Sequence, residues 1–196
     1  TQRKLFGVKD PCFSNQNITS GCTTRVDPNT LTSIDDATAI AEGTANGTGF
    51  PGWSIDLDTT VSVNYDGTGA KNYQAERVVT DPLATSSGNV FFTTFRPYGD
   101  DCAIGGRTFL WAVRYNTGGV PAYALQGKAL MQVSTASVEQ LDLSEAFTRS
   151  VSGAVSSLHR GGRRSFALEG VPPTAQGLSL LSPPPPVKRI LHMKER

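Results

Sequence analysis

The stretch SGNVFFTTFRPYGDDCAIGGRTFLWAVRYNTGG, Ser87 to Gly119, restricts the fold of this chain more than any other. Two apolar, aromatic-rich segments flank a loop that holds two acids, a cysteine and a Gly-Gly pair. Short runs rich in β-branched and aromatic residues and bounded by turn residues read as strands. The aromatic set Phe91, Phe92, Phe95, Phe109, Trp111 and Tyr115 is expected to fill the space between neighbouring sheets rather than to form a ligand platform. Each buried ring contributes about 2–3 kcal/mol.

More strand-like segments surround this pair. ERVVTDPLA precedes it and SSGN makes a tight hairpin turn, while NTGG turns the chain towards a weaker segment within VPAYALQGKALMQV. GWSIDLD puts Trp53, Ile55 and Leu57 on one face and Ser54, Asp56 and Asp58 on the other, the period of a half-buried strand. RKLFGVKDP reads as a strand stopped by Asp-Pro. The chain has 20 Gly and 12 Pro among 196 residues and is 38% hydrophobic, which favours short strands and many turns.

Residues 13–51 read as a long polar insertion. Its one short helix is expected in SIDDATAIAEG, with Ser33 as N-cap and Gly43 as stop. NYDGTGAKNYQ reads as a second polar loop. After Ser134 the pattern weakens: SVEQLDLSEAFTRSVSGAVSSL carries a short helix or two poor strands, PPPP at Pro183–Pro186 is extended chain, and VKRILHMKER supplies one more strand. The organisation expected is residues 1–134 as the main β region with the 13–51 insertion, and 135–196 as a C-terminal segment.

A net charge of +1 argues against electrostatic capture of nucleic acid or an anionic membrane, and no apolar run approaches the roughly 20 residues of a membrane span. The chain starts at Thr1 without Met or a signal pattern, as a processed product or a piece of something longer. Cys12 and Cys22 bracket a polar loop that closes readily as a disulfide, which implies an oxidising compartment. Cys102 is then either buried and inert or paired with a cysteine outside this chain. Asn17 and Asn46 begin glycosylation sequons but read more simply as exposed polar loop.

KLFGVKDP and FLWAVRYNTGG share one form: apolar, aromatic, small, Val, charged, then a turn. Each leads towards a segment suited to an outer strand, GWSIDL after the first and AYALQGKAL after the second. This is the pattern of propeller blades, in which a third strand ends in a turn that launches the edge strand. The strands expected make about two to two and a half blades, fewer than the four a ring needs. The fold class expected is therefore all-β, a partial β-propeller with quinoprotein-dehydrogenase-like blades and long loop insertions. It would be completed by the remainder of a larger precursor or by a complementing chain. A self-contained β-sandwich is the alternative.

Residues 52–119 resemble the C-terminal β-propeller of the PilY/PilC family of type IV pilus biogenesis and tip-adhesin proteins. The pieces that carry the resemblance are GWSIDL, AERVVTDPL, VFFTTFRP and DDCAIGGRTFLWAVRYNTGG, in order and at matching spacing. The closing KRILHMKER is similar to the family's basic end strand, with Met193 where Trp is common. Trp53, Asp56, Pro82, Phe92, Thr93, Thr94, Gly105, Gly106, Leu110 and Gly118 occupy the family's structural motif positions. The resemblance implies a secreted, pilus-associated, non-enzymatic protein that binds pilins or the rest of its own precursor and contacts a host or abiotic surface. It also raises calcium, but NYDGTGAKN has one carboxylate and YGDDC two adjacent ones, so no matching loop is seen and no cofactor or metal is expected.

Catalytic readings find little support. The chain has no adjacent cysteines and no CxxCH, and only His159 and His192 for a triad or a zinc site. His159, with Arg160, Arg163 and Arg164, reads as a solvated basic turn, and Asp100 and Asp101 read as loop-capping acids. A structural subunit of an extracellular filament and a quinoprotein-type enzyme fragment are the other readings.

Overall fold

A computed structural model describes residues 2–14, 17–35, 40–64, 68–121, 127–134, 136–143, 147, 162–174 and 176–181, and they form an all-β fold. Strand β1 (Lys4–Val8) leads into a ring closed by the Cys12–Cys22 disulfide. That ring holds the small hairpin of β2 (Phe13–Ser14) and β3 (Asn17–Ile18). A 3-10 turn at Pro28–Thr30 follows, capped by the Asp27 carboxylate, which accepts from the Asn29 N–H. Then come β4 (Thr32–Ile34), helix α1 (Glu42–Asn46) and β5 (Gly52–Asp56). β5 is the middle of the first sheet, antiparallel to β1 and parallel to β4.

The helix expected with Ser33 at its cap lies later, and Ser33 is a strand residue. Pairing of Ser33 and Ile34 with Ser54 and Ile55 buries Ile34 in the core, and that burial overrides local helix preference. Gly43 lies inside α1 rather than ending it. The insertion is thus partly core: Ile34 belongs to the apolar cluster, and Ile40 and Phe50 pack on it.

The stretch read as a second polar loop includes a strand, β7 (Lys71–Tyr73), which pairs as a hairpin with β6 (Val61–Val63) just before it. The central sheet begins with two fragments of one edge, β8 (Arg77–Val78) and β9 (Leu83–Ala84), separated at Pro82. Proline cannot extend the ladder. There the Thr80 hydroxyl replaces it, accepting from the Thr93 N–H at 2.8 Å. Both fragments pair with β10 (Asn89–Pro97), and β10 pairs along its whole length with β11 (Gly106–Arg114). The tight turn before β10 closes through Gly88 at φ 85°, its N–H bonded to the Thr85 carbonyl.

After β11 the chain forms the hairpin of β12 (Lys128–Ser134) and β13 (Ser137–Asp142), then β14 (Arg164–Glu169) and β15 (Leu178–Leu181). The first copy of the repeat behaves as expected, since β1 pairs with the GWSID strand. The second does not. The segment after NTGG joins a third sheet, β13-β12-β15, and β14 takes the place beside β11. β14 brings what that segment lacks: Arg164 to meet Asp58 and Glu76, and Phe166 to meet Phe109 edge-on. Strands from 135–196 therefore hydrogen-bond to strands of 1–134 in two sheets. The Pro183–Pro186 run, the final basic strand, His159, Arg160 and His192 lie outside the described residues.

Strand alternation sends the two faces of the β10–β11 pair in opposite directions. Phe92, Phe109, Trp111 and Val113 pack against Ile34, Trp53, Ile55 and Leu57 of the first sheet and its flank. Phe91, Leu110 and Ala112 pack against Ala129 and Leu143, with Leu178 and Leu180 beside them. The three sheets are stacked, with the central one buried on both sides.

Candidate functional site

The joint between the first two sheets is built on Trp53. Its indole Nε1–H donates to the Tyr115 carbonyl at 2.9 Å. A Cβ on Gly7 would lie 2.1 Å from the ring, and one on Gly118 would lie 2.6 Å from it. Backbone passes over both places, so only glycine fits. Gly118 also needs its φ of 63°, a region that glycine enters without a Cβ clash. The turn at NTGG and the strand GWSID thus meet at one side chain, Trp53 bonding Tyr115 across 62 residues of chain.

Below the joint is a group of charges that sequence reasoning missed. Glu76 is 0% exposed, Arg96 1% and Arg164 3%. Arg164 Nη1 lies 2.7 Å from Asp58 Oδ2 and 2.9 Å from Glu76 Oε2. Arg96 reaches Asp58 at 3.2 Å and donates to the Thr59 carbonyl at 3.0 Å. Glu76 also accepts from the Thr94 hydroxyl and from the Trp111 indole N–H, the latter at 3.1 Å. Two carboxylates face two guanidiniums, and the backbones of Asp58 and Glu76 are joined by a hydrogen bond of 2.9 Å. Buried charge is tolerated because each group has an opposite partner and further hydrogen bonds. Arg164 also lies over the Phe109 ring, 4.5 Å from its centre. The arrangement is a matched electrostatic clasp that fixes β14, β10 and the chain after β5 against one another. Its only sequence trace was an Arg closing an apolar strand and another opening RSFALE.

The solvated basic turn is accordingly corrected. Arg163 and Arg164 are both 3% exposed. Arg163 donates to the Asp35 carbonyl at 2.7 Å, while Arg164 belongs to the clasp.

The remaining motif residues fall into packing roles. Phe92 stacks on Trp111 with ring centres 5.6 Å apart, Thr93 bonds Thr80, and Thr94 bonds Glu76. Leu110 is buried on the opposite face. Gly105 holds φ 120°, and a Cβ on Gly106 would strike the Arg96 carbonyl at 2.2 Å. Asp56 pairs with Lys4 at 2.9 Å. Beside Gly105, the Tyr98 hydroxyl donates to Glu169; burial first, and then that hydrogen bond to Glu169, push its pKa up to about 12. Cys102 is a free, exposed thiol in the same loop, where the Asp100 carboxylate accepts from its backbone N–H. Among the described residues no cluster of His, Cys, Asp and Glu is arranged to hold a metal, and no helix is long and apolar enough to cross a membrane.

What the described residues leave open is an edge. β1 is the last strand of the first sheet. Leu57 N–H donates to the Arg3 carbonyl and Lys9 N–H to the Pro51 carbonyl, so the odd residues of β1 are the ones bonded to β5. In an antiparallel ladder the intervening residues then direct both backbone groups outwards. Those residues are Lys4, Phe6 and Val8, with Phe6 46% and Val8 57% exposed. Beyond the end of β1 are two hollows of about 320 and 520 Å³ that share Lys9 and Phe50; Phe13 and Val26 line the larger. Comparison with models of protein families, with curated proteins and with solved structures finds no match to this chain.

Proposed function

We propose that this chain is a non-enzymatic binding and assembly module, part of a β-propeller of the PilY/PilC type that works at a type IV pilus by binding pilins or the rest of its precursor. The single observation that carries this reading is the stack of three sheets, the first two of them joined through Trp53 and Gly118, two of the positions on which the sequence resemblance rests. A sheet buried on both faces between neighbours is what a blade inside a ring requires. The Cys12–Cys22 bond supports a secreted location. Function then follows from rigidity: the clasp and the tryptophan joint hold the sheets still while the 13–51 segment and the loop after β5 meet a partner.

The test is direct mixing. The purified chain is combined in turn with purified major pilin and with the remainder of its precursor, and complex formation is read by light scattering after size exclusion. A stable complex with either is expected. A chain that stays a well-folded monomer with both sinks the proposal. Filament formation by the chain alone, seen by electron microscopy, would favour the reading as a structural subunit, which the open edge of β1 also suits.

A further inference from the structure

Resting on the assembly-module reading, the geometry points to the kind of partner it takes: we infer that the open edge of β1 and the hollows beyond it accept an extended peptide strand, apolar at alternate positions and bearing a carboxylate at each end. Three observations converge. The edge presents the backbone donors and acceptors of Lys4, Phe6 and Val8 at alternate residues, a repeat of about 6.6–6.8 Å that only another extended backbone matches. Phe6 and Val8 stand exposed on one face at the same period, ready for apolar side chains of an added strand.

The devices that normally blunt an edge are missing. β1 has no proline, its register with β5 is unbroken, and its one charge, Lys4, is turned to Asp56. The strand is also preformed, because Gly7 lies flat on the Trp53 indole.

Charge sets the ends. Arg3 is exposed at the start of β1, and Lys9 and exposed Arg25 border its finish. The nearby acids are engaged locally: Asp10 accepts from the Cys12 N–H at 2.8 Å, and Asp27 from the Asn29 N–H at 2.9 Å. Lys9 Nζ donates to the Gly47 carbonyl at 3.0 Å and keeps its charge and further N–H donors. Arg3, Lys9 and Arg25 are therefore the cations that border an incoming strand, with Asp10 and Asp27 lining the same hollow as Lys9 and Arg25. An antiparallel partner places its N-terminal carboxylate by Lys9 and Arg25 and its C-terminal one by Arg3, with the residue preceding the paired segment entering the hollow beside Phe50.

A labelled peptide, acetyl-Asp-Val-Thr-Val-Thr-Val-Asp-amide, titrated with the purified chain and followed by fluorescence anisotropy, tests this. Saturable binding is expected. N-methylation of the alternate amides that face β1 should weaken it by about tenfold or more, as should Val8→Pro, which removes an edge N–H that makes no bond to β5. Lysine in place of both terminal acids should weaken it several-fold. Hydrogen exchange gives a second readout that survives a misfolded variant: the Phe6 and Val8 amides of the unmodified chain should slow when the peptide is added. Equal binding of the N-methylated peptide, or unchanged exchange at Phe6 and Val8, overturns the inference. The two proposals fail separately. A pilin or precursor complex in which those amides stay unprotected removes the strand site alone, whereas peptide binding without either complex removes the pilus reading and keeps the site.

Discussion

Towards β5 the central sheet shows Phe92, Phe109 and Trp111, and with them Glu76, Arg96 and Arg164; towards β12 it shows Phe91, Leu110 and Ala112. The same two strands therefore bury opposite faces by different physics. On the first, large rings bring an indole N–H and a threonine hydroxyl indoors, and these need acceptors. Glu76 supplies them, and its charge in turn demands a guanidinium. On the second, Phe91, Leu110 and Ala112 close with small neighbours, and the polar atoms beside them are neutral hydroxyls of Thr93 and Thr108 rather than charges. The lesson is that the first face is selective and brittle, since removing any member strands the others, while the second tolerates repacking.

That contrast orders the expected effects. Glu76→Gln should cost the most, about 3–5 kcal/mol by chemical denaturation, because Arg164 and Arg96 are left with one carboxylate between them. Leu110→Ala on the other face should cost about 2–3 kcal/mol, the lower part of the range for a core leucine, because small neighbours can collapse. If the two losses are equal, the contrast fails. A sharper version pairs them: Glu76→Gln with Arg164→Met should be strongly non-additive, and Glu76→Gln with Leu110→Ala close to additive. Gly118→Ala should destabilise by about 1–3 kcal/mol and shift the Trp53 fluorescence, since the new methyl meets both Trp53 and Ile34. Thr80→Val should cost about 1–2 kcal/mol, leaving the Thr93 N–H without its acceptor at the Pro82 break.

The smallest effect is a pH dependence. Tyr98 holds its proton more tightly when folded, with a pKa near 12 against an ordinary 10.0. Stability is then fully present below pH 10 and falls as pH rises from 10 towards 12, where the unfolded chain alone has lost the proton. Alkaline denaturation midpoints should show this slope, and Tyr98→Phe should remove it.

Legibility followed the range of the forces. The hairpin around SSGN, the strand GWSID, both halves of the β10–β11 pair and the Cys12–Cys22 bond were readable, because alternation, turn chemistry and a short ring are local signals. The helix misplaced onto Ser33 shows the limit. Three residues of strand there owe their state to Ile34 finding Trp53 and Ile55, partners some twenty residues on. β14 shows it more sharply. Nothing near residues 164–169 says that they belong beside β11, and Arg164 looks like part of a solvated basic run until Asp58 and Glu76 are in place.

Alternation and turn residues committed this chain to an all-β architecture with a central, doubly buried strand pair, since those preferences act over a few neighbours and need no partner. Which strand closes beside β11, which charges go inside and which edge is left exposed were settled only on assembly. Each depends on opposite charges or apolar surfaces brought together from as far as 106 residues apart, where a lone side chain carries no information about the environment that will receive it.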